Sequence, residues 1–143
     1  MKLKKLAKIL VTSTLAMCMV TTPMISKASD DNVSFSFNLK AHYGNSTTST
    51  RYRQTTNTKN KWKVNLTNST EGNGKVATFW LTTNADGTNI VSDDTHNIAQ
   101  GSGAHYYDAK SSASQKDVRL SVENNNDSPN TYSVSGYWDE ETN

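Results

Sequence analysis

Val33, Phe35, Phe37, Leu39 and Ala41 alternate with Ser34, Ser36, Asn38 and Lys40, so one face of this stretch is apolar and the other polar. A period of two is the signature of a half-buried β-strand. Trp62, Val64 and Leu66 alternate in the same way with Lys61, Lys63, Asn65 and Thr67. So do Val118, Leu120 and Val122 with Asp117, Arg119, Ser121 and Glu123, and Tyr132, Val134, Gly136 and Trp138 with Ser133, Ser135 and Tyr137. The most apolar run outside the N-terminus is 76–83. Val76, Thr78, Trp80 and Thr82 point one way there, and Ala77, Phe79, Leu81 and Thr83 the other. Bulk on both faces predicts a central strand covered on both sides, with Trp80 buried. Residues 50–56 read as a polar edge strand, and 88–91, 95–100 and 104–109 as weaker ones.

Turn signals punctuate these runs. Gly44-Asn-Ser46, Asn57-Thr-Lys-Asn60, Asn84-Ala-Asp-Gly87 and Gly101-Ser-Gly103 break the chain, and Glu71-Gly-Asn-Gly74 reads as a hairpin leading into the apolar run. No window after residue 28 shows a 3.6-residue period. About seven or eight short strands, each with an apolar face, need a second layer to cover them. The predicted fold is therefore all-β, a small antiparallel β-sandwich.

The N-terminus stands apart. Met1-Lys-Leu-Lys-Lys5 and Lys8 form a basic region, residues 9–20 an apolar one, and Ser26 with Ala28 a small-residue cleavage signal. This predicts a cleaved secretory signal peptide over 1–28, too short in its apolar part for a membrane span. Cys18 is the single cysteine and lies inside it; Leu15-Ala-Met-Cys18 has the outline of a lipobox, with Met17 where a small residue is required. Residues 29–143 then form one all-β domain without cysteine, ending in a short acidic tail predicted to be solvated. That excludes disulfides, thiolate metal sites and a cysteine nucleophile from the domain.

Removing 1–28 reverses the charge. The whole chain carries +2, whereas residues 29–143 hold 10 Lys and Arg against 13 Asp and Glu, a net −3. Residues 32–70 contain six bases and no acid; 71–143 contain eleven acids and four bases. Within the basic half, Arg51, Arg53, Lys59, Lys61 and Lys63 form a tract flanked by Tyr52 and Trp62. If 50–56 and 61–67 pair as a hairpin, Arg51 and Arg53 share a face with Lys61 and Lys63, and like charges so opposed need an anion nearby. That anion is either the protein's own acidic half, for instance Asp117 and Glu123, or an external group suited to Arg, such as a phosphate polymer, an anionic lipid headgroup or an acidic glycan.

His42, His96 and His105 are the three histidines, candidates for a metal or acid–base site although their spacing matches no metal motif. His105 with Asp108 is a candidate second-shell pair. Asp93-Asp94, Asp86 and the Asn124 to Asp127 turn offer oxygen ligands without the spacing of a calcium loop. Gly101-Ser-Gly103 lacks the strand-to-helix setting of a nucleophile elbow. Tyr106, Tyr107, Tyr137 and Trp62 are candidates for a sugar-binding platform, with Trp62 and Trp138 more naturally placed in the core. No cofactor motif occurs.

The segments Asn32-Val-Ser-Phe-Ser-Phe37, Lys40-Ala-His-Tyr-Gly-Asn-Ser46, Arg51-Tyr-Arg53, Trp62-Lys-Val-Asn-Leu-Thr67, Thr95-His-Asn-Ile98, Gln100-Gly-Ser-Gly-Ala-His-Tyr-Tyr107 and Val134-Ser-Gly-Tyr-Trp-Asp-Glu-Glu-Thr142 resemble a family of small secreted Gram-positive bacterial proteins catalogued as a domain of unknown function. The resemblance implies export from a Gram-positive cell and brings no catalytic residues. The residues point to a secreted, non-enzymatic module, extracellular or held non-covalently at the cell wall. Its predicted partner is an anionic envelope component or another extracellular protein, bound through the Arg/Lys tract. Nucleic acid is not expected, given the net −3 and the export signal. The alternatives are a bacteriocin-like antagonist or toxin, and a metal-dependent hydrolase using His42, His96 and His105.

Overall fold

The structure, a computed structural model, describes residues 31–57 and 59–142. The predicted signal peptide 1–28, with Cys18, lies outside the described residues. Nine strands occur among the described residues: β1 (Val33–Leu39), β2 (Ser46–Thr47), β3 (Arg51–Arg53), β4 (Trp62–Ser69), β5 (Val76–Thr82), β6 (His96–Ala99), β7 (His105–Tyr107), β8 (Lys116–Asn124) and β9 (Tyr132–Asp139). One turn of 3₁₀ helix, Ser111–Ala113, precedes β8.

The strands form two antiparallel sheets. One runs β1-β9-β4-β7; the other runs β2-β8-β5-β6, with β3 following β2 along the same edge of β8. The alternation seen in the sequence sets the core. Phe35, Phe37, Leu39, Trp62, Val64, Leu66, Val134 and Trp138 of the first sheet meet Ala77, Phe79, Leu81, Ile98, Val118, Leu120 and Val122 of the second in one buried cluster. Phe35 and Phe79 touch across the layers, with ring centroids 5.7 Å apart. The all-β sandwich is as the periodicity predicted, with nine strands rather than seven or eight.

β5 is central in its sheet, between β8 and β6. Its Phe79 and Leu81 face the core, while Trp80 is buried outside that cluster. Its cover is the chain that follows β5. Trp80 Nε1 donates to the Gly87 carbonyl at 2.8 Å, and Thr82 Oγ1 to the Asn89 carbonyl at 2.9 Å. Thr47 Oγ1 and Asn45 Nδ2 anchor the same loop by donating to the carbonyls of Ala85 and Asp86. Gly87 adopts φ +78 beneath Asn45, a left-handed conformation that a side chain resists.

Neither a hairpin of 50–56 with 61–67 nor the one predicted at Glu71 to Gly74 forms. β3 pairs with β8 and β4 with β9 and β7, so 50–56 and 61–67 lie in different sheets. Likewise the Glu71 to Gly74 turn carries the chain across the core, from β4 in one sheet to β5 in the other. Turn chemistry specifies a reversal and leaves open whether the flanking strands bond each other. Residues 100 and 101 instead hold the two together: Gln100 N–H donates to Lys75 O and Gly101 N–H to Leu66 O, both at 2.9 Å. The acidic C-terminus also departs from expectation, since Asp139, Glu140, Glu141 and Thr142 are buried rather than solvated. Glu140, Glu141 and Thr142 find partners 89, 87 and 81 residues earlier in the chain, and Asp139 lies against Lys63.

Candidate functional site

Most of the basic tract is neutralised from within. Arg51 on β3 donates from Nε and Nη2 to both carboxylate oxygens of Glu140, and from Nη2 to Asp31 at 3.1 Å. The hydrogen bond to Glu140 holds the Arg51 pKa above its ordinary value. Arg53 is 1 % exposed and donates to the carbonyls of Glu140 and Asn60. Burial pushes its pKa down, while Glu141, Glu140 and Asp139 hold it up. The Glu141 carboxylate accepts from the N–H groups of Gln54 and Thr55 at 3.0 and 2.9 Å. On β4, Lys63 lies buried 4.0 Å from Asp139. The carboxylates facing Arg51, Arg53 and Lys63 are thus those of the C-terminal tail, with Asp31 at Arg51, not Asp117 and Glu123.

Two bases of the tract remain largely in solvent: the side chains of Lys59 and Lys61 are 81 % and 46 % exposed. Both address Asp108, Lys61 Nζ at 3.1 Å and Lys59 Nζ at 3.9 Å, and the hydrogen bond from Lys61 draws the Asp108 pKa below the usual carboxylate range. Asp108 follows β7, and its backbone carbonyl accepts from Trp62 Nε1 at 3.3 Å. The lysines therefore flank the end of the β4/β7 pair whose core-facing side carries a ring stack built on Trp62. Tyr107 lies 5.4 Å from Trp62 by centroid and His96 5.7 Å, while His96 and Tyr107 stack at 3.5 Å with 11° between their planes. His105 lies parallel to Tyr107 at 6.2 Å. Register explains the grouping: Trp62 opposes Tyr107 and Val64 opposes His105 across β4 and β7. β6 and β7 are the free edges of the two sheets on this side. The stack closes the sandwich where their backbones do not pair. Desolvation raises the Tyr107 pKa, with Asp93 adding to it. Tyr106, its neighbour, is an exposed aromatic.

Polar contacts assign the histidines separate partners. His96 Nε2 is 2.9 Å from Asp93 Oδ1, His105 Nε2 2.8 Å from Ser102 Oγ, and His42 Nδ1 2.7 Å from Asp127 Oδ1. No group of three His, Cys, Asp or Glu residues is arranged to hold a metal ion among the described residues. Ser102 Oγ also donates to the Ala99 carbonyl at 2.6 Å, so its proton is directed away from His105. Of the candidate calcium ligands, Asp86 caps its own turn through Thr88, which lowers its pKa, while Asp93 and Asp127 are engaged by histidines.

The structure thus gathers Lys59, Lys61, His96, His105 and Trp62 around the β4/β7 pair, the rings toward the core and the lysines toward solvent; Lys63 lies on the same pair but is buried against Asp139, and Arg51, Arg53 and His42 have other partners. Asp108 and Tyr107 join that region; both are candidates in the sequence, but Asp108 faces Lys59 and Lys61 while His105 lies against Ser102. No helix among the described residues is long and apolar enough to cross a membrane. Residues 21–142 match the model of a family described as Protein of unknown function (DUF2712). No curated protein and no solved structure matches the chain.

Proposed function

The protein belongs to this family of unknown function, and from that premise we propose that it is an exported, non-enzymatic module that binds an anionic glycan of the Gram-positive cell envelope. One observation carries the reading. With Arg51, Arg53 and Lys63 engaged by the tail, the two solvent-facing cations of the tract, Lys59 and Lys61, stand together at Asp108, next along the chain from β7 and its exposed Tyr106. Lysine ammonium groups attract phosphate or carboxylate, and aromatic rings offer a face to a sugar. The residues of the predicted signal peptide support an extracellular place of action, and the net charge of −3 over 29–143 argues for a local contact rather than a general polyanion affinity. The protein then rests non-covalently on the wall or is released from it.

The test is retention of the natively processed protein on purified Gram-positive cell wall, eluted with a salt gradient. Two exposed ion contacts of about 0.5–1 kcal/mol each predict a roughly five- to thirty-fold weaker association for the double substitution Lys59→Gln, Lys61→Gln, with folding intact. Retention unchanged by that pair of substitutions would remove the lysines from the site. Arg51 and Arg53 are not informative targets, because both hold the C-terminal tail in place.

A further inference from the structure

The two sheets have edges of different character. β2, β3, β6 and β7 are two to four residues long, whereas β1 runs seven residues, Val33–Leu39, without a bulge in its pairing to β9. Val33–Leu39 contains no charge and no proline. Long, uncharged, regular edges template further strand pairing, and proteins normally interrupt them. β2 does not pair with β1; a groove of about 360 Å³, lined in part by Ser34, Ser36, Thr48, Ser49 and Arg51, runs beside it. The direction of the free backbone groups follows from the ladder. Ser133 and Ser135 of β9 bond toward β4, and the Asn38 carbonyl accepts from Ser46 Oγ rather than from β9. The N–H and C=O groups of Ser34, Ser36 and Asn38 therefore point outward, while the alternate residues bond β9.

We propose that β1 is a self-association edge, at which two copies of the chain pair antiparallel about a two-fold axis through Ser36. The strand is self-complementary on that axis. Val33 meets Leu39, Ser34 meets Asn38, Phe35 meets Phe37 and Ser36 meets its own copy. Apolar residues thus oppose apolar ones on the core face, and polar residues oppose polar ones on the outer face. Ser36 opposes its own copy and Ser34 opposes Asn38, which is the hydrogen-bonded pairing of an antiparallel ladder, except that the Asn38 carbonyl is already held by Ser46 Oγ of its own chain. With no charge in the strand, nothing repels across the axis. The contact is isologous and closes on itself, so it ends at a dimer rather than a fibre. The two four-stranded sheets become one continuous sheet with β7 at both ends. This pairing does not depend on the envelope reading. If that reading holds, the dimer carries a Lys59/Lys61 surface at each end and binds a polymer bivalently.

Sedimentation velocity on the natively processed protein tests the proposal, with circular dichroism confirming that each variant is folded. The wild type is expected to be a dimer. Ser36 is exposed, so Ser36→Lys and Ser36→Glu leave the core untouched but place like charges on the axis, and each alone is expected to raise the dimer dissociation constant about tenfold or more. Mixed in equal amounts, the two variants are expected to recover a heterodimer, because Lys then faces Glu. A wild type that stays monomeric up to about 1 mM, a dimer indifferent to Ser36→Lys, or folded variants that fail to recombine would each overturn the proposal.

Discussion

A Cβ built on Gly136 would run into the Asn65 carbonyl oxygen and lie 2.9 Å from Phe35 Cζ. Gly136 sits mid-strand in β9, opposite Phe35 on one side and Leu66 on the other, next to the register shift between Leu66 and Asn68. Its backbone is not left-handed, so the demand for glycine is one of space alone. Alanine there must push the β4 backbone away, and Gly136→Ala is expected to cost about 1–3 kcal/mol. A urea denaturation midpoint equal to wild type would show that β4 and β9 do not approach this closely. Arg53 makes the complementary point. It reads in the sequence as a member of a surface tract, yet its guanidinium is buried and spans two carbonyls, from Glu140 and Asn60. Residue type carried no information on this, because the acceptors are backbone oxygens distant in the chain or across a loop.

Among the elements, the C-terminal end of β9 depends most on pH. Burial pushes the Asp139 pKa from 3.8 up to about 7; the Glu141 N–H and Lys63 oppose the shift without cancelling it, and Glu140 adds to it. A carboxylate raised in the folded state binds its proton more tightly there than in the unfolded chain. Its contribution to stability is therefore present at low pH and is lost as pH rises from about 4 to about 7. Each unit of displacement is worth about 1.4 kcal/mol. Asp139→Asn removes the titration. The difference in stability between variant and wild type, followed by thermal unfolding, is expected to change across that window in favour of the variant as pH rises. A difference that stays flat from pH 4 to 7 would mean that Asp139 ionises as an ordinary surface carboxylate. The tail was legible as acidic, not as buried. An acidic terminus ordinarily hydrates, and only the arrival of Arg51, Arg53 and the Gln54 and Thr55 amides supplies a lower-energy place for it.

At the scale of the molecule, β1 pairs with β9, Val33 facing Trp138, so the first and last described strands are neighbours. Such pairings close long loops before they gain contacts, which slows folding. Refolding followed by the fluorescence of the buried Trp62, Trp80 and Trp138 is expected in the millisecond-to-second range, and a submillisecond main phase would contradict this topology. Where the long strands fall, and which of their faces are apolar, was determined by the sequence alone, because the period of two is a local property that the core then accepts unchanged; the short ones were not, since β2 begins in a predicted turn and the predicted strand 88–91 holds only an isolated bridge at Ile90. β4, β5, β8 and β9 lie where the alternation put them, and β5 is covered on both faces as its bulk required. Which strand bonds which was decided by the tertiary structure. The Glu71 to Gly74 turn reads locally as a hairpin but spans two sheets. The basic tract reads as one surface but divides between β3 and β4. Its charge is then spent on a tail nearly ninety residues away, as the Arg51–Glu140 pair shows. Charge along the chain is a one-dimensional quantity, and its partner is set only when distant segments meet at a few ångströms. What remains of the tract after that meeting, Lys59 and Lys61 at Asp108, is a surface that only the folded chain defines.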